Sequence, residues 1–227
     1  MTCFIGLVED GVSYIGADSG VTCGSIKTRA KSPKIFQKSI TVDTGTEKHQ
    51  SLMLLGLAGT VQSQQLIQHR FVAPVWNTTT RTLDQYLVVD FADALRACLK
   101  ASGNCTVQEG RDVYDSSMLV LLEGRLFCVE FAFGVVESGD AFATIGSGAA
   151  IALGAMAVLH TVPPRERIDA ALRAACAYAT GCDLPLYQLQ YPAVPDPSMP
   201  ARSKTNGEGE GEGVGVKSSV SLVSSPV

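Results

Sequence analysis

The sequence predicts an α+β fold in which two antiparallel sheets are stacked between pairs of helices, a four-layer αββα sandwich. Three observations carry this expectation. Short apolar and β-branched runs flank Asp-Gly and Glu-Gly steps, the signature of hairpins and so of antiparallel pairing. Helical periodicity appears in two pairs of segments with strand-like runs before and between them. The order is strands, two helices, strands, two helices, without the βαβ alternation that a parallel sheet requires.

Taken in order, residues 3–8 and 12–17 read as two strands around Glu9-Asp10-Gly11. Asp18 follows directly, Ser19-Gly20 turns the chain, and residues 21–26 lead into Lys27, Arg29, Lys31 and Lys34, which read as a solvated basic loop. Residues 34–37 and 39–42 read as a further hairpin. Residues 52–57 form a continuously apolar strand, which implies burial on both faces. The step Gly56-Leu57-Ala58-Gly59-Thr60 ends that strand, and Val61, Leu66, Ile67 and Phe71 fit a helix over 61–71 capped by Thr60 or Ser63.

A second helix is predicted over 82–99, where Leu83, Tyr86, Leu87, Phe91, Leu95 and Cys98 recur at helical spacing until Gly103-Asn104. Residues 105–116 read as a polar loop. Residues 118–122 and 125–131 pair around Glu123-Gly124, and 142–145 is a short strand ending in Gly146-Ser147-Gly148. An Ala-rich helix follows over 149–160. After Val162-Pro163-Pro164, the last helix, over 165–180, carries Ile168, Ala171, Leu172, Ala175 and Cys176 on one face. The composition then shifts to Pro and alternating Gly-Glu, which cannot bury a core. The expected organisation is one domain over 1–191 and a disordered tail over 192–227.

The chain has 227 residues and a net charge of −4, with its 18 basic and 22 acidic residues intermixed. No polybasic footprint exists for nucleic acid or anionic lipid, so neither is an expected partner. The weakly polar run 145–159 is too short for a bilayer and is diluted by glycine. No basic segment precedes the first apolar run, so a cytoplasmic location is expected. Seven scattered cysteines without a CxxC pair, and three histidines, give no trusted metal spacing, so neither metal nor cofactor is expected. Most of these cysteines sit among apolar neighbours as small core residues. Cys3 differs in standing next to Thr2.

Thr2 is the most compact candidate catalyst. Removal of Met1 would give it a hydroxyl nucleophile and a free α-amine on one residue, a complete nucleophile and base. The start Thr2-Cys3-Phe4-Ile5-Gly6, then Ile15-Gly16-Ala17-Asp18-Ser19, Lys34-Ile35-Phe36, Gly56-Leu57-Ala58-Gly59-Thr60 and Ala143-Thr144-Ile145-Gly146-Ser147-Gly148 together resemble proteasome β subunits and the bacterial HslV-type peptidases. These are N-terminal nucleophile hydrolases of the threonine peptidase class. The likeness runs in order over about residues 2–182.

The resemblance implies Thr2 as nucleophile, its α-amine as general base, Asp18 and Lys34 as the charged pair beneath it, the Gly59 N–H as oxyanion donor and Ser147 as partner of the amine. The chemistry agrees with these residue types: an α-amine titrates at about 7.7–8.0, close to the optimum for a base at neutral pH. By the same carry-over Val21, Leu57 and Val61 line the first substrate pocket and favour an apolar side chain. Self-compartmentalised homo-oligomeric stacked rings are also implied, with unfolded polypeptide as substrate and a separate ATP-dependent unfoldase as partner, since no nucleotide-binding motif is present here.

The sequence departs from the family at two places. Cys3 replaces a threonine, and Ala177 stands where the last helix should carry an Asp near the amine. The alternative readings are therefore a catalytically silent structural ring subunit and a non-peptidase amidase on the same fold.

Overall fold

The computed structural model describes residues 2–192 and the backbone of 223–225. Strands β1 (Cys3–Glu9) and β2 (Val12–Ala17) form the opening hairpin, with Asp10 and Gly11 both at positive φ in its turn. They lie inside a five-stranded sheet ordered β13 (Phe142–Gly146), β1, β2, β14 (Leu186–Pro192), β15 (Val223–Ser225). The second sheet has six strands ordered β12 (Val135–Glu137), β11 (Arg125–Val129), β10 (Ser116–Leu122), β6 (Lys48–Gly59), β5 (Ile35–Asp43), β7 (Trp76–Asn77). Two small hairpins, β3 (Gly20–Cys23) with β4 (Ile26–Arg29) and β8 (Thr106–Gln108) with β9 (Arg111–Val113), stand apart from both. All pairings are antiparallel except β5 with β7.

The helices are α1 (Val61–His69), α2 (Leu83–Gln85), α3 (Ala92–Lys100), α4 (Ala149–Val158) and α5 (Pro164–Tyr178). A π-helical segment, Tyr86–Phe91, joins α2 to α3 into one continuous run. Thr60 caps α1, and Thr82 with Gln85 forms a capping box at α2, satisfying N–H groups that helix starts leave without partners.

Strand alternation distributes side chains among three apolar clusters. Phe4 and Ile15 of the first sheet meet Leu54, Leu119 and Leu121 of the second. On the other face of β1, Ile5 and Leu7 pack with Met156 of α4 and with Ile168 and Leu172 of α5. On the other face of β6, Met53, Leu55 and Leu57 pack with Ile67, Phe91 and Leu95. β6 is thus buried on both sides, as its unbroken hydrophobicity predicts. A Cβ built on Gly16 would lie 2.4 Å from Ile168 Cγ2, so glycine at that position lets α5 approach β2 closely.

The structure differs from the sequence expectation in several places. Residues 35–43 form the single strand β5, not a hairpin, because no residue there supplies a turn and each one pairs in register with β6 from Ile35↔Gly56 to Asp43↔Lys48. The polar stretch 105–116 contains the β8–β9 hairpin, turned by Glu109 and Gly110 at positive φ. In the tail expected to be disordered, Pro192 belongs to β14, and Val223–Ser225 pairs antiparallel with Leu186–Gln188. The rest of that tail lies outside the described residues. Among the described residues no helix is long and apolar enough to cross a membrane.

Candidate active site

Five chain segments meet at Thr2: the start of β1, the bend after β2, the residue before β5, the β13–α4 junction and the α5–β14 connection. Antiparallel pairing of β1 with β2 brings Asp18 beside residues 2 and 3, since Phe4 faces Ala17. Pairing of β1 with β13 sets Cys3 opposite Gly146, which delivers Ser147 to the same place. Gly146 has φ +96°, and a Cβ there would stand 2.3 Å from the Thr2 carbonyl oxygen, so only glycine fits this approach.

Asp18 is fully buried and Thr2 and Lys34 are each 6 % exposed. Thr2 Oγ1 donates to Asp18 Oδ1 at 2.6 Å and accepts a hydrogen bond from Lys34 Nζ. Lys34 Nζ also donates to Asp18 Oδ1 at 2.7 Å and to the Gly20 carbonyl at 2.8 Å, which occupies all three ammonium donors. Asp18 accepts further from Cys3 N–H at 2.8 Å, Gly20 N–H at 2.7 Å and Asp183 N–H at 2.9 Å. The Thr2 nitrogen, which becomes an α-amine when Met1 is removed, donates to Ser147 Oγ at 3.1 Å.

Burial pushes the Lys34 ammonium below the ordinary lysine range, while the Asp18 charge and hydrogen bond pull it back up. The Cys3 thiol is pushed far up by its hydrogen bond with Cys182 and by burial. It is therefore a neutral packing group beside Thr2 rather than a thiolate.

The structure brings together Thr2, Asp18, Lys34 and Ser147. Gly59 ends β6 opposite Ser116, and a Cβ on it would meet Ser116 Oγ at 2.0 Å and Asp115 O at 2.3 Å, so β10 enforces glycine there. Of the three proposed pocket residues, Val21 is half-buried on β3 and Val61 is exposed at the first residue of α1. Leu57 is a correction. It is 2 % exposed inside the cluster beneath α1, because its side chain points to the helix face of β6, and it offers no surface to a ligand.

Ala177, at the position read as the missing helix carboxylate, is exposed on α5. What the chain brings from this region is the segment just past the helix: Cys182 packs against Cys3, and the Asp183 N–H reaches Asp18. Sequence reasoning missed both: Cys182 reads as one more core cysteine, and the Asp183 N–H leaves no residue-type signal. The step Gly181-Cys182-Asp183, following the helix, was the one hint.

No family model matches the chain and no curated protein matches its sequence. Solved structures do match. BPH of Thiobacillus denitrificans superposes with a TM-score of 0.66 at 21 % identity, over 86 % of this chain and 100 % of that one. A second structure of that protein, in complex with epoxomicin, gives 0.66 at 19 % over the same shares. The eukaryotic HslV from Trypanosoma brucei gives 0.55 at 15 %, over 83 % and 98 % of the two chains. The Gly-1 mutant of Anbu from Hyphomicrobium sp. strain MC1 gives 0.57 at 14 %, over 85 % and 82 %. The chain therefore has the α+β fold of these proteasome-type structures.

Proposed function

We propose that this chain is a threonine endopeptidase of the proteasome type, with Thr2 as nucleophile once Met1 is removed, on the four-layer αββα plan. The observation that carries the reading is the position of Thr2 Oγ1 between the Asp18 carboxylate and the Lys34 ammonium, with Ser147 at its nitrogen. The three apolar clusters support the layering.

The free α-amine takes the Thr2 hydroxyl proton as Oγ1 adds to the substrate carbonyl. The Lys34 charge stabilises the developing alkoxide, and Asp18 keeps that ammonium charged and aimed. The new oxyanion is received by the Gly59 N–H; one such donor is worth about 2.7–4 kcal/mol. Collapse returns the proton to the leaving amine and leaves an ester on Thr2. A water deprotonated by the same α-amine then cleaves that ester and frees the enzyme.

We place the active sites inside homo-oligomeric stacked rings that receive unfolded polypeptide from a separate ATP-dependent unfoldase. The outward Leu153 and Val158 of α4 and Tyr178 of α5 support a subunit contact on that side. One observation favours a second reading, a silent ring subunit: the last helix presents no carboxylate to the amine, Ala177 being exposed.

Intact mass spectrometry and an epoxyketone probe separate the two. The peptidase reading expects Met1 to be absent and Thr2 to be labelled in the wild type but not in Thr2→Ala. Retained Met1, or an unlabelled wild type that lacks Met1, overturns it.

A further inference from the structure

Asp183, in the α5–β14 connection, touches both the bend after β2 and strand β4. Its N–H donates to Asp18 Oδ2 at 2.9 Å, and its carbonyl accepts from Ser19 N–H at 2.9 Å and Ser19 Oγ at 3.1 Å. Its carboxylate accepts from Arg29 Nε at 3.1 Å and lies 3.7 Å from Lys27 Nζ, both on β4. The same carboxylate accepts the Leu184 N–H at 2.9 Å, which fixes its direction.

The hairpin held in this way begins at Gly20, which donates to Asp18 Oδ2 and accepts from Lys34 Nζ. Gly20 has no slack: a Cβ on it would stand 2.8 Å from Asp18 Oδ2 and 2.9 Å from both Asp183 N and Gly181 O. The outer end of the hairpin has no comparable burial; all four residues of β4 are exposed, and Cys23 is exposed as well. Its fixed points on the body include the Gly20 contacts, the Ala30 N–H to Ser19 carbonyl bond of 2.8 Å, and the Asp183 ion pairs.

We propose that Asp183 is a positioning residue for the Thr2 site, whose carboxylate ties the β3–β4 hairpin to the α5–β14 connection and thereby holds Gly20 against Asp18 and Lys34. This rests on the peptidase reading above. The tie is ionic and partly exposed, with side-chain exposures of 25 % for Asp183 and 58 % for Arg29, so it is modest and screened by salt. It makes the reactivity of Thr2 depend on ionic strength although Asp18 and Lys34 are themselves out of reach of salt.

The test measures epoxyketone labelling of Thr2 at saturating probe, at about 20 mM and about 1 M NaCl, in the full-length assembly. At low salt, Asp183→Asn is expected to label up to about fivefold more slowly than wild type, the range of an exposed ion pair. Asp183→Glu should recover most of the rate. High salt should slow the wild type toward the Asn variant and leave that variant unchanged. The double variant Lys27→Gln/Arg29→Gln should reproduce Asp183→Asn, and combining all three changes should add nothing further. The double variant alters only exposed side chains, so it keeps the test available if Asp183→Asn does not fold. An unlabelled wild type overturns the peptidase reading and this role with it. A labelled wild type whose rate ignores both salt and the Lys27/Arg29 changes overturns the positioning role alone.

Discussion

Asp18→Asn is the substitution whose outcome the structure constrains most tightly. The carboxylate is fully buried and accepts five hydrogen bonds, from Thr2 Oγ1, Cys3 N, Lys34 Nζ, Gly20 N and Asp183 N. All five partners donate. An asparagine must turn its NH₂ either toward the three donors on Oδ1 or toward the two on Oδ2, so at least two donors lose their acceptor. It also leaves the Lys34 ammonium buried without its counter-charge. Breaking a buried ion pair from one side costs about 3–5 kcal/mol. For a domain of this size that corresponds to a fall in Tm of roughly 6–20 °C. Thermal unfolding followed by circular dichroism measures it. The double variant Asp18→Asn/Lys34→Met should regain part of the loss, because it removes the stranded charge, whereas epoxyketone labelling should be lost in Asp18→Asn, in Lys34→Met and in the double variant. A Tm for Asp18→Asn within about 2 °C of wild type, or a double variant no better than the sum of the singles, would refute the reasoning.

Gly146→Ala forces a methyl to 2.3 Å from the Thr2 carbonyl, so it should cost about 1–3 kcal/mol of stability and abolish labelling of Thr2 while the fold persists. Ala177→Asp, by contrast, alters an exposed helix position; its labelling rate should stay within about twofold of wild type, and a marked gain would show that the helix does face the amine. With the α-amine as base, the labelling rate should climb with pH through an apparent pKa near 8, about the reference value of such an amine. Burial first, and then Asp18 and Cys182, push the Cys176 thiol up to about 12. The neutral thiol is therefore favoured in the fold: its contribution is intact below pH 9 and is lost as pH rises from 9 to 12, where the unfolded chain ionises first. Cys176→Ala should accordingly show a shallower fall of Tm over that interval than wild type, and parallel curves would count against it.

How far the sequence revealed the site depends on whether side chains or backbone groups do the holding. Thr2, Asp18, Lys34 and Ser147 are legible because each supplies a functional group that no neighbour can replace, and their spacing matches known motifs. The hairpin turns at Asp10-Gly11 and Glu123-Gly124 are legible for a similar reason, since a positive φ demands particular residues there. The β8–β9 hairpin carried the same kind of signal at Glu109-Gly110, but its strands are short and polar, so hydrophobic patterning gave no support. Strand β5 was misread as two because its exposed face alternates with its buried one, and a polar Gln37-Lys38-Ser39 stretch looks like a turn until its partner strand is known.

Leu57 shows the converse limit. A pocket residue and a core residue on β6 differ only in which face of the strand they occupy, and a one-residue change of register exchanges those faces. The support once sought in Ala177 shows why the last helix was misleading. Helical spacing identifies which residues of α5 face the core, but the groups nearest the site come after the helix ends. There the Asp183 N–H can reach Asp18 whatever non-proline side chain stands at that position. The carboxylate of Asp183 is the part of that residue on which residue type acts, and it reaches outward to Lys27 and Arg29. Residue type at position 183 therefore acts through a pair of weak, screened ionic contacts, while the strong contact to Asp18 comes from the backbone.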